Sequence, residues 1–520
     1  MLKKISLLIN TLKYLKLSQC FFQVNHRLKS KQSIKKYKEK HLTVKDLVFN
    51  NEIEVAQTYL HDNNFCFLNK SINFKIDIDW NFIEFGKLWN YNLEYFDYLQ
   101  QKDITVDKKK ELINSFYSFS LKNKRHLEPY PVSLRAINLI KFSIINKSTE
   151  EDFLSYLYQE LDYLNKNCEF HILGNHLLEN AFALCLGGAF FEKANWHRKS
   201  IQILKKELEE QILADGAHFE LSPMYHKIIF FRILELIDWY SKYDKKDNAF
   251  LSYCIKKASK MKAWLENIKF DNGDIPLFND SAKFIAFPTK VLLSYSSQLN
   301  ISSADIPLTV SGYRSFRNEN YEIKIDCAEI GASYQPGHGH ADALSFILYY
   351  QNIPLFVEQG TSTYNIGARR DLERSTQAHN TVECQNKNQS QVWGGFRVGE
   401  RAKTTIIKES VDFIEAFHDG YKKSGILHTR SFKFEKSRVS IKDTLSQGNG
   451  VYYLHIHPQF TIDQLSNQIC TISNGVRVKF DGHESLTTES YEYSERHNEY
   501  EKGTRLVVEF NRELLSTLIF

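Results

Sequence analysis

VSLRAINLIKFSIINK, residues 132–147, sets its apolar side chains three and four positions apart, the spacing that lines one face of an α-helix. The same period returns in EDFLSYLYQELDYL (151–164), NHLLENAFALCLGGAFF (175–191) and RKSIQILKKELEEQIL (198–213), and again through 226–242, 247–267 and 281–296. Helix follows helix across short polar connections. That succession predicts paired helices around a shared centre and argues against the alternating strands and helices of a Rossmann domain. Near residue 300 the texture changes. YRSFRNENYEIKIDCAEIG, ALSFILYYQNIPLFVE, RAKTTIIKESVDFIEAF, RSFKFEKSRVSIKDTL and GVRVKFDG are short β-branched or aromatic runs separated by turn formers, which predicts antiparallel strands packed as a sandwich. The polar stretch SSQLNISSADIP between the two textures puts a domain boundary at 300–310.

Composition narrows the function classes. Of 520 residues, 42% are hydrophobic and 14% aromatic, enough to fill two large cores. The 67 Lys and Arg stand against 62 Asp and Glu, scattered rather than gathered into one tract, so a general nucleic-acid binder is not expected. The eight cysteines form no CxxC pair, which speaks against a disulfide scaffold and a Cys-rich zinc site and is compatible with a reducing compartment. AFALCLGGAFF (181–191) is too short to span a bilayer. The opening MLKKISLLINTLKYLKLSQCFF has an apolar run broken by Asn10, Thr11 and Lys13 and no small-residue cleavage pattern. It reads as an amphipathic surface helix in preference to an export signal, so a cytoplasmic or membrane-peripheral location is expected, with the periplasm left open.

Three clusters could carry chemistry. In HILGNHLLENAF, Asn175 with Glu179 and His176 with Asn180 are four apart on a helix start, either a capped, satisfied polar cluster or one wall of a cleft. In DGAHFELSPMYH (215–226), Ser222 and Pro223 signal a second helix start with Tyr225 and His226 in its first turn, where the helix end favours an anion or a developing tyrosinate. In GHGHADALSFILYY (337–350), His338, His340 and Asp342 share one face if the segment is extended, and two imidazoles with a carboxylate either ligate a divalent metal or divide acid–base and structural roles.

The words LWNYNLEYFDYL (88–99), EPYPVSLRAIN (128–138), NHLLEN (175–180), DGAHFELSPMYH (215–226), DNGDIPLFNDSA (271–282), HGHADALSF (338–346) and RSTQAHNTV (374–382) run in this order over most of the chain. Together they resemble the heparinase II/III-like polysaccharide lyase superfamily, in particular members associated with bacterial surface-polysaccharide loci. The resemblance implies an α+β multidomain chain: a helical extension over 1–60, an incomplete (α/α) toroid over 61–305 and an antiparallel β-sandwich over 306–520, with the cleft between toroid and sheet. It implies β-elimination at a uronate of an acidic polysaccharide. A base takes the C5 proton, charge develops on the C6 carboxylate, and an acid protonates the departing O4.

By that resemblance Asn175 or His176 neutralises the carboxylate, Glu179 orients the cluster, Tyr225 is the base and also returns a proton to O4 when base and acid lie on the same sugar face, and His338 is a second acid–base group. His340, Glu358 and His379 are the implied ligands of a structural zinc, although the family's middle carboxylate is usually Asp. Tyr91, Asn92, Tyr130 and Arg135, and a second group of Arg369, Arg370 and Arg374, are the implied substrate contacts. No organic cofactor, nucleic acid or integral membrane partner is expected. Heparin-like, alginate-like, capsular and lipopolysaccharide-linked glycans stay open as substrates. A uronate epimerase and a non-catalytic glycan-binding or assembly protein stay open as alternative functions.

Overall fold

A computed structural model describes residues 2–35, 42–50 and 53–520. Its helical part consists of α1 (Leu2–Leu12), α2 (Leu17–Leu28), α3 (Lys87–Tyr95), α4 (Val106–Lys122), α5 (Pro129–Asn146), α6 (Glu151–Lys166), α7 (Gly174–Phe190), α8 (Ala194–Gln211), α9 (Pro223–Lys242), α10 (Asn248–Ile268) and α11 (Thr289–Gln298). The starts follow the capping signals. Thr105 and Asp247 accept bonds from the first free N–H groups of α4 and α10, and Pro129 stands in the first turn of α5, where no N–H is needed. α7 is buried along nearly its whole length, as a helix that is apolar on every side requires, and packs against α5, α6, α8 and α9. One expected helix is shorter than its pattern: 281–296 becomes Thr289–Gln298, because Pro288 disfavours helical backbone before it.

Beyond residue 310 each strand-rich run is an antiparallel hairpin. Tyr313–Arg317 pairs with Tyr321–Asp326, Phe346–Tyr350 with Ile353–Phe356, Thr404–Ser410 with Phe413–His418, and His428–Glu435 with the start of Arg438–Ile456. Not every strand is short, as the sequence texture suggested. Arg438–Ile456, Arg477–Tyr493 and Glu501–Ile519 run 19, 17 and 19 residues. Arg438–Ile456 changes neighbour along its length: its first half pairs with His428–Glu435, and its second half with Val382–Cys384 and Phe356. Register shifts near Thr444 and Asp481 accompany the change, letting long strands serve both layers of the sandwich.

The two parts do not meet as independent bodies. Ala328, Ala332, Tyr334, Ile347 and Tyr349 of the sheet part belong to the core of the helical part, and Phe270 stacks on Tyr349 at 3.7 Å. The buried Asp215 carboxylate accepts from the backbone of Thr309 and Ser311 and from the Ser311 hydroxyl, tying the loop before α9 to the crossing segment. The architecture is thus an incomplete α/α toroid packed on an antiparallel β-sandwich, with the contact between them in place to hold a site made from both.

Candidate active site

Four segments converge at this contact: the start of α7, the turn into α9, the loop 277–281 and the loop 336–345. Their backbones are held in unusual shapes. Leu173, Leu221 and Asn279 have φ of 66°, 56° and 55°, each within two residues of Asn175, Glu220 or Asp280. Such conformations cost free energy and persist where surrounding contacts impose them. A Cβ at Gly174 would press on the side-chain ends of Gln335 and Glu220, at a φ of 59° that glycine adopts without strain.

The hub is Asp280, which the sequence reading passed over. Its carboxylate accepts both terminal nitrogens of Arg370 at 2.5 and 2.6 Å, Nδ1 of His338 at 2.9 Å and Nε2 of His340 at 2.9 Å. Burial alone would raise this carboxyl, but the Arg370 guanidinium and the two imidazoles hold it well below the ordinary carboxylate range. Because a carboxylate only accepts, Asp280 places a proton on Nδ1 of His338 and on Nε2 of His340. His338 and His340 were expected on one face of a strand. They lie instead in a turn-rich loop before the strand Phe346–Tyr350, gathered by a shared acceptor rather than by strand alternation.

Tyr225 is stacked on His338 with ring centroids 3.9 Å apart. Ser222 caps α9 by accepting from the Tyr225 N–H at 3.2 Å, which fixes where the ring leaves the helix. The phenol oxygen lies 3.4 Å from that of Tyr364, a residue with no distinguishing signal in the sequence. Burial, and next the neighbouring Tyr364, push the Tyr225 phenol well above its usual range, so it rests protonated. Nε2 of His338 lies 3.7 Å from Glu220, and Glu220 accepts from the Asn175 side-chain amide at 2.9 Å and its backbone N–H at 3.0 Å. Tyr225, His338, Glu220 and Asn175 are therefore one connected group.

His176 faces Tyr130 with ring centroids 4.3 Å apart and retains 30% side-chain exposure. Its Nδ1 is 3.2 Å from Glu169, whose second oxygen accepts from Asn180. Glu169, not the expected Glu179, is thus the group that orients His176. Glu179 is spent on Arg232 at 2.9 Å. Burial would lower the His176 imidazole, but Glu169, with Glu220 and Glu179 behind it, raises it above the ordinary 6.5.

A second cluster lies on the other side of Asp280. Ligand atoms of His340, Asp342 and His379 fall within 4.8 Å of one another. Nδ1 of His340, Oδ2 of Asp342 and Nε2 of His379 are buried without a hydrogen-bond partner. Glu358 accepts from Nδ1 of His379 at 2.6 Å, so the His379 lone pair lies on Nε2. Asp280 leaves the His340 lone pair on Nδ1 in the same way. Burial lowers His340 to about 3 and raises Asp342 to about 7. Two imidazole nitrogens and a carboxylate oxygen left unpaired suit a cation such as zinc. Asp342 takes the position expected of Glu358, and Glu358 orients His379.

Of the implied substrate contacts, Tyr130 lies beside His176. Tyr91 donates to Glu128 at 2.7 Å and Asn92 to the Leu88 carbonyl, both half-buried next to this wall. Arg135 does not face a cleft: it is buried and bonded to Glu160 at 2.5 and 2.9 Å. Arg370 and Arg374, on and just after the short helix α12 (Ala368–Glu373), are also buried. Arg370 serves Asp280, and Arg374 serves the carbonyls of Gly339 and Gly395. These guanidiniums are consumed by internal acceptors and do not reach a substrate anion. Arg369 is occupied by Glu373 and Glu492. Glu169, Glu220 and Asp280 were missed because isolated carboxylates in helical or turn-rich text carry no spacing signal, although Glu220 and Asp280 stand inside words already singled out.

Two family models cover adjoining stretches, the heparinase II/III N-terminus over residues 131–300 and the heparinase II/III-like C-terminal domain over 301–517. A heparin-sulfate lyase of Bacteroides stercoris is 29% identical over 252 residues, 42% of this chain and 36% of that protein. One of Pedobacter heparinus is 26% identical over 268 residues, 46% and 40% of the two chains. The aligned stretch thus spans well under half the length of these curated relatives. Among solved structures, a crystal structure of heparinase III superposes with a TM-score of 0.71 at 16% identity, covering 93% of this chain and 87% of that one. The contiguous family matches, the shared architecture and the ordered motifs lead to one conclusion: the chain belongs to the heparinase II/III-like superfamily.

Proposed function

We propose that this chain is a polysaccharide lyase that cleaves a uronate-containing acidic glycan of the sulfated glycosaminoglycan class by β-elimination. The observation that carries the reading is the stack of Tyr225 on His338 beside Asn175 and His176, at the junction of toroid and sheet. The names of the curated relatives, heparin-sulfate lyases, support the substrate class. His176 is the better placed of the two candidate neutralisers. Its ring keeps an exposed edge, and the carboxylates around it favour the cation, whereas the Asn175 amide is held by Glu220. A cationic imidazole beside C6 stabilises charge as it develops there.

Proton transfer falls to the stacked pair. Asp280 fixes the His338 proton on Nδ1 and leaves Nε2 to accept the C5 proton. The protonated Tyr225 phenol donates to O4 as the C4–O4 bond breaks and the C4=C5 bond forms. Of the two roles the resemblance implies for Tyr225, this keeps the return of a proton to O4 and gives the base to His338, because the protonated phenol is the form burial favours. After turnover the His338 imidazolium holds the proton that the Tyr225 oxygen has lost, so loss of one to solvent and gain of one from it restores both groups, while the Tyr364 hydroxyl, 3.4 Å away, hydrogen-bonds the phenol oxygen.

A divalent ion such as zinc would be held by His340, Asp342 and His379 and would supply structural cross-linking of the loop 338–342 to residue 379. The test of function is incubation with heparan sulfate, chondroitin sulfate and other uronate-rich glycans, read by the ultraviolet absorbance of the unsaturated uronate and by product mass. Cleavage without unsaturation would refute elimination. An isomerised uronate without cleavage would make the protein an epimerase, and saturable binding with neither product a binding protein.

A further inference from the structure

The first two helices are seated the wrong way round for a water-soluble surface. In α2, Leu17, Phe21, Val24 and Leu28 recur at spacings of four, three and four, one face of a helix, and their exposures are 89%, 66%, 60% and 81%. The buried residue of α2 is Gln19. Gln19 and Gln23 donate to the carbonyls of Ile172 and His171, His26 stacks on His171 at 4.0 Å, and Lys16 pairs with Glu210. α1 repeats the arrangement: Asn10 bonds Gln391 and Thr11 accepts from Trp393, while Ile5, Leu8, Ile9 and Leu12 are exposed. Both helices dock largely through polar side chains, joined in α2 by Phe22 stacked on Phe170 at 5.1 Å, and turn their apolar stripes outward. Exposed apolar stripes on two adjoining helices mark a surface that something covers.

The charge around these stripes names the partner. Unlike the rest of the chain, where cations are scattered among acidic residues, residues 1–38 contain ten Lys or Arg, and the first acidic residue is Glu39. Arg27 is exposed on α2 and Lys13 in the turn that follows α1. No helix among the described residues is long and apolar enough to cross a membrane. We propose that the outward faces of α1 and α2 form an interfacial docking surface for an anionic lipid bilayer, with the apolar stripes entering the boundary between headgroups and acyl chains and the cations meeting the lipid phosphates. A second copy of this chain would bring the same cations against themselves, so the charge disfavours it.

The seats of both helices lead into the site. His171 stands five residues before His176, and the hairpin that receives α1 carries Phe396, whose ring lies 6.0 Å from His338. Docking through α1 and α2 would hold the junction of toroid and sheet near the lipid surface.

The full chain would be floated with vesicles of phosphatidylcholine alone and of phosphatidylcholine with phosphatidylglycerol, at low and high salt. Binding is expected to the anionic vesicles and to weaken with salt. Phe21→Ser with Leu28→Ser is expected to cut partitioning by about tenfold or more, and Lys13→Glu with Arg27→Glu to weaken it as well, both with an unchanged melting temperature. Absence of binding, equal binding to the neutral vesicles, or binding indifferent to these substitutions would overturn the proposal. So would a dimer seen by light scattering that Phe21→Ser dissociates while vesicles are ignored. The readout needs no glycan, so its failure and a failure of the lyase reading are separate results.

Discussion

Replacing Asp280 by Asn removes one charge from the centre of the site. The Asp280 and Arg370 side chains have no exposed surface, and the carboxylate takes two guanidinium and two imidazole donors. Asn keeps the shape and one acceptor oxygen but turns an N–H2 toward donors and leaves the guanidinium unpaired. Breaking a buried pair by removing one partner costs about 3–5 kcal/mol, whereas an exposed pair contributes about 0–1 kcal/mol. Because the pair joins two parts that share a core, the unfolding unit is the whole chain, whose entropy of about 2 cal/mol/K per residue makes each kcal/mol worth about 1 °C. The expected fall in Tm is therefore about 3–5 °C. Scanning calorimetry with urea unfolding would measure it, with Arg317→Ala as control, since Arg317 and Asp271 form a pair that is half exposed on both sides. A shift for Asp280→Asn no larger than that of the control would refute the assignment of Asp280 as the electrostatic hub. Elimination should fall in parallel, because the His338 tautomer is no longer imposed.

Tyr225→Phe removes the proton donor while keeping the ring stack, so elimination should drop about 10²–10⁴-fold with folding and glycan affinity retained; near-normal turnover would exclude Tyr225 from proton transfer. Metal content measured on purified protein should be close to stoichiometric and vanish in His340→Ala or Asp342→Asn. Glu358→Gln should weaken affinity by about 10–100-fold without abolishing it, and an unchanged ion content in Asp342→Asn would restore Glu358 as the ligand. The His176 imidazole faces Glu169, Glu220, Glu179 and Tyr130 and is raised above 6.5. Its stabilisation is complete below that ordinary value and is lost as pH rises through the folded value. The Tm difference between wild type and His176→Gln should accordingly shrink on going from mildly acidic to alkaline buffer; a difference that grows would contradict the pairing with Glu169.

Much of this molecule is legible along the chain because helix and strand periods are local. The stripe of 132–147 becomes α5, and NHLLEN opens the buried helix α7. The paired runs after residue 310 become hairpins, since turn chemistry and alternation act over a few residues. Tyr225 was legible through its cap, Ser222 with Pro223. His338, His340 and Asp342 stood out through their spacing of two, and His379 through the word RSTQAHNTV.

What the one-dimensional pattern could not decide is which partner each polar group meets. Arg135 and Arg370 look like anion receptors until Glu160 and Asp280 are found in their forks, residues that lie 25 and 90 positions away. Asp342 rather than Glu358 joins the unpaired nitrogens of His340 and His379 because the segment is a folded loop, where alternation no longer determines direction. Local sequence determined the elements, their capped ends and the residue types able to do chemistry. The tertiary structure alone decided charge pairing, tautomer and burial, because those depend on which distant side chain occupies the last few ångströms around each group.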